Sequence, residues 1–323
     1  VEYFVAVTSL LGGLLLLAYF GERLVHWASN LALRLKVSPL FIGVTIVAAG
    51  TSIPELFVSV NAQLEGSSGL AIGNIVGSNI FNIGVVLGSV LVWRRRSHVQ
   101  GGALVMVTLI MATLALVAYL HLNQGLDGSS ILTRNTGIML VLGFLILIAI
   151  SCNYERKRST PLPEIDNMTL DESSLKVASS LILATVGLWI GGEILVDGAL
   201  SLTRLLGIQE SAFGLTIVAA GTGAPELFVS IAAIRRGSAS IAIGNVVGSN
   251  LFNTIGVVGA AAIVSPLEVK YNEIQWDLLV MIFMTTSISL ILIKSPRLQK
   301  RLGVFLLAIY FMWLLVHLFI HKH

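Results

Sequence analysis

Charge is what this sequence has least of. Only 11% of its 323 residues are Asp, Glu, Lys or Arg, against roughly 25% in an ordinary soluble domain. With 55% hydrophobic residues and a mean hydropathy of +0.90, that shortage excludes the pair of soluble domains that length alone would allow. Cysteine is nearly absent. The single thiol, Cys152, closes an apolar run and has no partner, which excludes a disulfide framework and a thiolate metal site. The six histidines sit mainly at the ends of apolar runs or at the C-terminus; His317, inside a run, is read as packing. No basic segment precedes the first apolar run, so no secretory leader is expected. The formal charge is only +3, and no nucleic-acid partner is expected.

What the chain has in abundance is apolar length. A membrane-spanning helix needs about 20 mainly apolar residues. Ten stretches qualify: 3–26, 39–62, 69–93, 101–121, 132–152, 174–199, 211–234, 240–264, 275–293 and 301–320. The longest polar stretch, 153–173, carries Pro161, Pro163 and a charge cluster. It divides the chain into residues 1–152 and 174–323, each with five spans. The expected fold is an all-α membrane protein embedded in a lipid bilayer.

The two halves repeat. Gly43-Val-Thr-Ile-Val-Ala-Ala-Gly-Thr-Ser-Ile-Pro-Glu55 returns 171 residues later as Gly214-Leu-Thr-Ile-Val-Ala-Ala-Gly-Thr-Gly-Ala-Pro-Glu226. Residues 43–88 and 214–259 are identical at 29 of 46 positions, an internal repeat. The last two spans of each half match far less. Five is odd, so the second half enters the membrane from the opposite side. Ten helices as two inverted five-helix repeats are a transporter signature, with the substrate site expected near the midplane between the repeats. Lys and Arg orient the chain. With the N-terminus outside, the inside loops hold 16 of them and the outside only Arg134, Arg204, Lys270 and Lys322. This bias places both termini outside and 153–173 in the cytoplasm.

Each repeat buries a glutamate in an apolar run. A carboxylate at that depth costs a few kcal/mol and is a functional-site hypothesis by default. Thr51, Glu55 and Ser59 stand at i, i+4 and i+8, as do Asn74, Ser78 and Asn82, so each set shares a helix face. The second half repeats both stripes as Thr222, Glu226, Ser230 and Asn245, Ser249, Asn253. Pro54 and Pro225 lack an amide hydrogen and free the carbonyls of Gly50 and Gly221. Loose backbone at membrane depth is tolerated where it lines a cavity. The resulting ligands are all hard oxygens, which suit Ca²⁺, Na⁺ or Mg²⁺ rather than zinc or copper. Mg²⁺ dehydrates reluctantly, which favours Ca²⁺. Two ionised glutamates are neutralised by one Ca²⁺, two Na⁺ or two protons. The glycines beside these stripes, in Gly73-Asn74, Gly77-Ser78, Gly244-Asn245 and Gly248-Ser249, are read as permitting close helix packing. Asn74 and Asn245 are read as inter-helix glue.

Gly50-Thr-Ser-Ile-Pro-Glu55 with Gly73-Asn-Ile-Val-Gly-Ser-Asn-Ile-Phe-Asn82, and Gly221-Thr-Gly-Ala-Pro-Glu226 with Gly244-Asn-Val-Val-Gly-Ser-Asn-Leu-Phe-Asn253, resemble the α-repeats of the Ca²⁺/cation antiporter superfamily. The nearest branch is the prokaryotic sodium/calcium exchangers. The resemblance implies an antiporter of the cell membrane rather than an enzyme, with Na⁺ and Ca²⁺ as transported ions and no cofactor. It implies that Glu55 and Glu226 are shared Ca²⁺ and Na⁺ ligands. Thr51 and Thr222 would add contacts, Ala48 and Ala219 carbonyls, and Ser52, Ser78, Ser249, Asn82 and Asn253 the remaining Na⁺ and water shell. It also implies that the first and sixth spans slide past the other eight. Two positions depart from the common pattern. Gly223 stands where serine is frequent, and Asn253 where many members carry aspartate. The lost carboxylate puts K⁺ dependence in doubt and leaves the coupling ratio open. Thr51 and Thr222 speak against the proton-coupled branch, whose motif usually has Gly-Asn. H⁺/Ca²⁺ exchange is the first rival, a cation channel the second and an intramembrane enzyme with paired carboxylates the third.

Overall fold

The computed structural model describes residues 2–93, 102–157, 172–205, 221–292 and 295–320. The chain is mostly helical, for a reason that precedes packing. Within a bilayer every backbone N–H and C=O must be bonded inside its own segment, so long apolar runs become helices. In order they are α1 (Glu2–Leu35), α2 (Pro39–Thr51), α3 (Ile53–Leu64), α4 (Ser68–Trp93), α5 (Ala103–Leu122), α6 (Arg134–Lys157), α7 (Ser174–Leu205), α8 (Ala224–Arg235), α9 (Ala239–Val264), α10 (Tyr271–Leu292) and α11 (Pro296–Ile320). Among the described residues eight helices are long and apolar enough to cross a membrane, or nine if the bent pair α2–α3 is one span. Residues 206–220 lie outside the described ones. The stretch 211–234 is therefore seen only from Gly221 onward, with α8 as its second part.

One correction concerns fold class. The loops after α5 and after α9 form a two-stranded antiparallel sheet, β1 (Ser129–Leu132) with β2 (Leu267–Lys270), paired Ser129↔Lys270 through Leu132↔Leu267. The all-α expectation missed it because Leu132 and its neighbours merge into the next apolar run. Here Leu132, Leu267 and Val269 are buried in alternation with exposed Ile131 and Glu268, the period of two that a half-covered strand requires. The turn leading into β1 is fixed by Asp127, which accepts bonds from the Ser129 hydroxyl at 2.7 Å and amide at 3.1 Å. These bonds hold the Asp127 carboxyl below the usual carboxylate range.

Helices α4 and α9 are the centre of the molecule. Their apolar windows are 83% and 78% buried, against 11–33% for the other long helices. Each central helix crosses an outer one at a pair of glycines. A Cβ on Gly303 of α11 would lie 2.7 Å from the Gly88 carbonyl of α4; one on Gly137 of α6 would lie 2.6 Å from the Gly259 carbonyl of α9. Gly88 and Gly259 are 171 residues apart, so the two crossings are duplicates. Helices α1 and α7 pack antiparallel. Tyr3 Oη donates to the Leu205 carbonyl at 2.7 Å, Gly198 abuts Ala6 and Leu10, and Gly13 abuts Gly191 and Leu195. Small residues let these backbones approach closely.

Local chemistry breaks and widens several helices. Ser38 caps α2 by accepting the Phe41 amide at 3.2 Å, with Pro39 in the first turn. Helix α2 then ends at Thr51. Ser52 turns at φ −90°, ψ 10°, and α3 departs at 45° with Pro54 in its first turn. Gly223 makes the matching turn before α8, at φ −82°, ψ −2°, ahead of Pro225. Three π-helical stretches were not expected: Gly43–Val47, Asn82–Leu87 and Phe252–Val257. The second and third lie at matched places in α4 and α9. Such wide turns occur mostly at functional sites, and these two carry Asn82 and Asn253.

Candidate functional site between the two repeats

Two helix breaks and two central helices converge on one buried polar region. Thr51, Ser52 and Glu55 come from the α2–α3 break, and Ser78 and Asn82 from α4. Thr222 and Glu226 come from the Gly223 turn, and Ser249 and Asn253 from α9. Thr222 is 6% exposed and the others are wholly buried. Direct bonds join the two halves. Ser52 Oγ donates to Glu226 Oε1 at 3.0 Å. Thr51 Oγ1 donates to Asn245 Oδ1 at 3.0 Å and lies 3.3 Å from Ser249 Oγ. The Ala48 carbonyl accepts the Ser52 amide at 3.0 Å and the Thr51 hydroxyl at 3.3 Å. Ala219 lies outside the described residues.

Several of these groups have no protein partner. Both oxygens of Glu55, Oε2 of Glu226, Oγ of Ser78 and both side-chain polar atoms of Asn82 and of Asn253 are buried without a hydrogen bond. A buried polar group without a partner costs a few kcal/mol, and a buried charge more. Native interiors hold few such groups, yet here they come from all four elements. Among the described residues the ion pairs are peripheral, such as Glu22–Arg235 at 3.4 Å and His317–Asp277 at 3.6 Å, and none reaches either glutamate. No cluster of three or more His, Cys, Asp or Glu exists among the described residues. The region offers two carboxylates within a shell of neutral oxygens, a donor set that fits a hard cation stripped of water.

Asn74 and Asn245 bond between helices, as their reading as glue expects, and reach the glutamates' own backbone. Asn74 Nδ2 donates to the Glu55 carbonyl at 3.2 Å and to Ser59 Oγ at 3.0 Å; Asn245 Nδ2 donates to the Glu226 carbonyl at 3.3 Å and to Ser230 Oγ at 3.2 Å. Each amide grips the backbone of the glutamate itself. Their shared stripe with Ser78–Asn82 and Ser249–Asn253 was the available signal. The halves also differ. Ser52 holds the Glu226 carboxylate, but its counterpart at 223 is glycine, and the Glu55 carboxylate accepts no hydrogen bond.

Gly21 of α1 packs on the Phe228 and Val229 backbone of α8, at 3.3–3.4 Å from an added Cβ. The counterpart contact, Gly192 of α7 on Phe57 of α3, is not made. Gly192 instead lies near the Gly221 carbonyl and Pro225, and Phe57 is 46% exposed, stacked on Trp189. Helix α1 thus packs on the α8 backbone at Gly21, whereas α7 meets α3 through the Trp189–Phe57 stack and not at Gly192.

Comparison with known proteins follows this geometry. The family model described as "Sodium/calcium exchanger protein" matches residues 5–153 and 176–319. Inner membrane protein YrbG of Escherichia coli (strain K12) is 34% identical over 319 residues, covering 96% of this chain and 95% of its own. Sodium/calcium exchanger MaX1 of Methanosarcina acetivorans is 29% identical over 345 residues, covering 96% and 98%. A solved structure of the sodium-calcium exchanger NCX_Mj, soaked with 10 mM Na⁺ and zero Ca²⁺, matches with a TM-score of 0.80 at 28% identity, covering 96% of this chain and 98% of that one. The chain is a multi-pass membrane protein of the sodium/calcium exchanger family.

Proposed function

We propose that this protein is a secondary antiporter that exchanges Na⁺ for Ca²⁺ across the cell membrane by alternating access. The observation that carries the reading is the pair Glu55 and Glu226, buried at matched positions, without a cationic side chain, inside a shell of unsatisfied oxygen donors. Both glutamates ligate Ca²⁺. With Thr51, Thr222, Ser52, Ser78, Ser249, Asn82, Asn253 and the Ala48 and Ala219 carbonyls they also hold Na⁺. The names of MaX1 and NCX_Mj, as sodium/calcium exchangers, support the choice of ions. Two bare carboxylates repel at low dielectric, so the site crosses the membrane loaded with one Ca²⁺ or with monovalent cations, not empty. That exclusion couples the ions.

The architecture we infer is ten spans in two inverted repeats, residues 1–152 and 174–323, joined by the cytoplasmic stretch 153–173, with both termini outside. Antiparallel packing of α1 and α7 and the duplicated Gly88–Gly303 and Gly259–Gly137 crossings support it. So does the parity of contacts. Gln63 Nε2 bonds the Ser265 carbonyl at 2.9 Å, Arg34 bonds the Glu172 carbonyl, and β1 pairs with β2. In a ten-span count each pair is separated by an even number of crossings. The Lys and Arg distribution supplies the orientation.

The deciding experiment is Ca²⁺ uptake into proteoliposomes loaded with Na⁺, against choline-loaded vesicles with an outward proton gradient. Uptake that requires internal Na⁺ is expected. Uptake driven by protons alone would replace this reading with H⁺/Ca²⁺ exchange at the same carboxylates, and flux far above transporter turnover without counter-ion dependence would replace it with a channel.

The Ser52–Gly223 inequality gives a second test. Gly223→Ser adds a hydroxyl on the Glu55 side at backbone angles that any L-residue adopts. The half-saturating Na⁺ concentration should fall by about fivefold, since one added ligand bond contributes about 1 kcal/mol, while the KM for Ca²⁺ moves much less. A Na⁺ dependence identical to wild type would show that the missing hydroxyl is no ligand.

A further inference from the structure

Asn74 and Asn245 are bonded alike through their amide nitrogens and unlike through their oxygens. Asn245 Oδ1 accepts the Thr51 hydroxyl at 3.0 Å, a bond that crosses from one repeat to the other. Asn74 Oδ1 is buried with no partner. Its counterpart donor is Thr222, at the matched position of the other break, and Thr222 is engaged but not by Asn74. An orphaned oxygen is not enough in itself to mark a device. The neighbouring matched pair, Asn79 and Asn250, leaves both oxygens unpartnered. The difference between Asn74 and Asn245 is what carries information.

That difference coincides with a second one. Gly21 of α1 packs on the Phe228 and Val229 backbone of α8, whereas its counterpart Gly192 of α7 does not reach Phe57 of α3, which stacks on Trp189 instead. When two equivalent halves hold unequal conformations, exchanging the conformations gives a second state of nearly equal energy, as rocking of one unit against another requires. Resting on the alternating-access reading above, we propose that Asn74 and Asn245 are positioning residues forming an alternating latch. Thr51 bonds Asn245 in the access state seen here, and Thr222 bonds Asn74 in the opposite one. Each amide nitrogen holds its glutamate in both states, while the oxygen reports and stabilises one state only. Each state then leaves one buried oxygen unsatisfied and satisfies the other, so neither becomes a trap.

The test reads the two helix contacts directly, in purified protein carrying Cys152→Ser. The rate of modification by a water-soluble maleimide is measured at Phe57→Cys, where α3 faces α7, and, separately, at Phe228→Cys, where α8 faces α1. Asn245→Ala should lower the ratio of the two rates about fivefold, and Asn74→Ala should raise it by a similar factor, the population factor of one net hydrogen bond. Each variant also loses the amide clamp on its own glutamate, so the latch requires the same two opposite shifts in variants that keep both clamps. Thr51→Val and Thr222→Val remove the donors alone and should reproduce the two opposite shifts if an asparagine variant fails to fold. Shifts of the same sign, or none, overturn the latch. The labelling needs no transported ion, so a failed exchange assay would count against the transport reading and leave this result separately legible.

Discussion

Glu55→Gln should abolish Ca²⁺ uptake while leaving a folded protein, and Glu226→Gln should do the same. The amide keeps the shape of the side chain and removes one of two charges that a divalent cation meets. Two unit charges about 4 Å apart interact with about 4 kcal/mol at an effective dielectric of about 20, and a divalent ion doubles that, so Ca²⁺ affinity should drop by at least about a thousandfold. Stability should move the other way in ion-free buffer. Glu55 has two buried carboxylate oxygens without partners. Replacing the charged group with a neutral one removes a desolvation cost. Thermal unfolding in detergent reads both effects: each variant should melt no lower than wild type without Ca²⁺ and lose the upward shift that Ca²⁺ gives to wild type. Retained uptake in either variant would remove that glutamate from the site.

These two carboxylates were legible because cost and repetition coincide. A glutamate in an apolar run needs a reason, and the same glutamate 171 residues later needs the same reason. The stripes were legible through helical spacing. Other features had no such signal. The sheet of Ser129–Leu132 and Leu267–Lys270 consists of two short segments adjoining long apolar runs. The π turns at Asn82 and Phe252 widen helices whose composition is ordinary. Gly137 and Gly303 occupy equivalent crossings on helices whose sequences hardly match, because lipid-facing surfaces accept almost any apolar residue while a close crossing constrains a single position. The unequal packing of Gly21 and Gly192 could not be read either, since the two glycines stand in equivalent sequence contexts.

Glycine roles also diverge where the sequence treats them alike, and this yields the last prediction. Gly12 and Gly13 are adjacent, yet an added Cβ on Gly12 meets nothing within 4 Å, whereas one on Gly13 would lie 2.7 Å from the Leu195 amide nitrogen. Gly248 is tighter in consequence. Its Cβ would lie 2.6 Å from the Val44 Cα and 2.7 Å from the Ala48 Cβ, with the Val44 carbonyl closer still. Backbone cannot rotate away as a side chain can, so a larger residue must push α2 off α9. Thr51 rides on α2, and its bonds to Asn245 and Ser249 at 3.0 and 3.3 Å span that interface. Gly248→Val should therefore cost about 1–3 kcal/mol or more in stability and separate oxygens that the proposed site brings to one ion. Gly12→Ala, in a helix interior with free space, should be neutral or gain up to about 1 kcal/mol. Thermal unfolding with and without Ca²⁺ compares them. Gly12→Ala should keep the wild-type Ca²⁺ shift. Gly248→Val should melt lower and lose most of it, because a loosened ligand set binds less well even when its residues are all present. A full Ca²⁺ shift in Gly248→Val would mean that the contact of α2 with α9 does not hold the site together, and the convergence of the two repeats would need another cause.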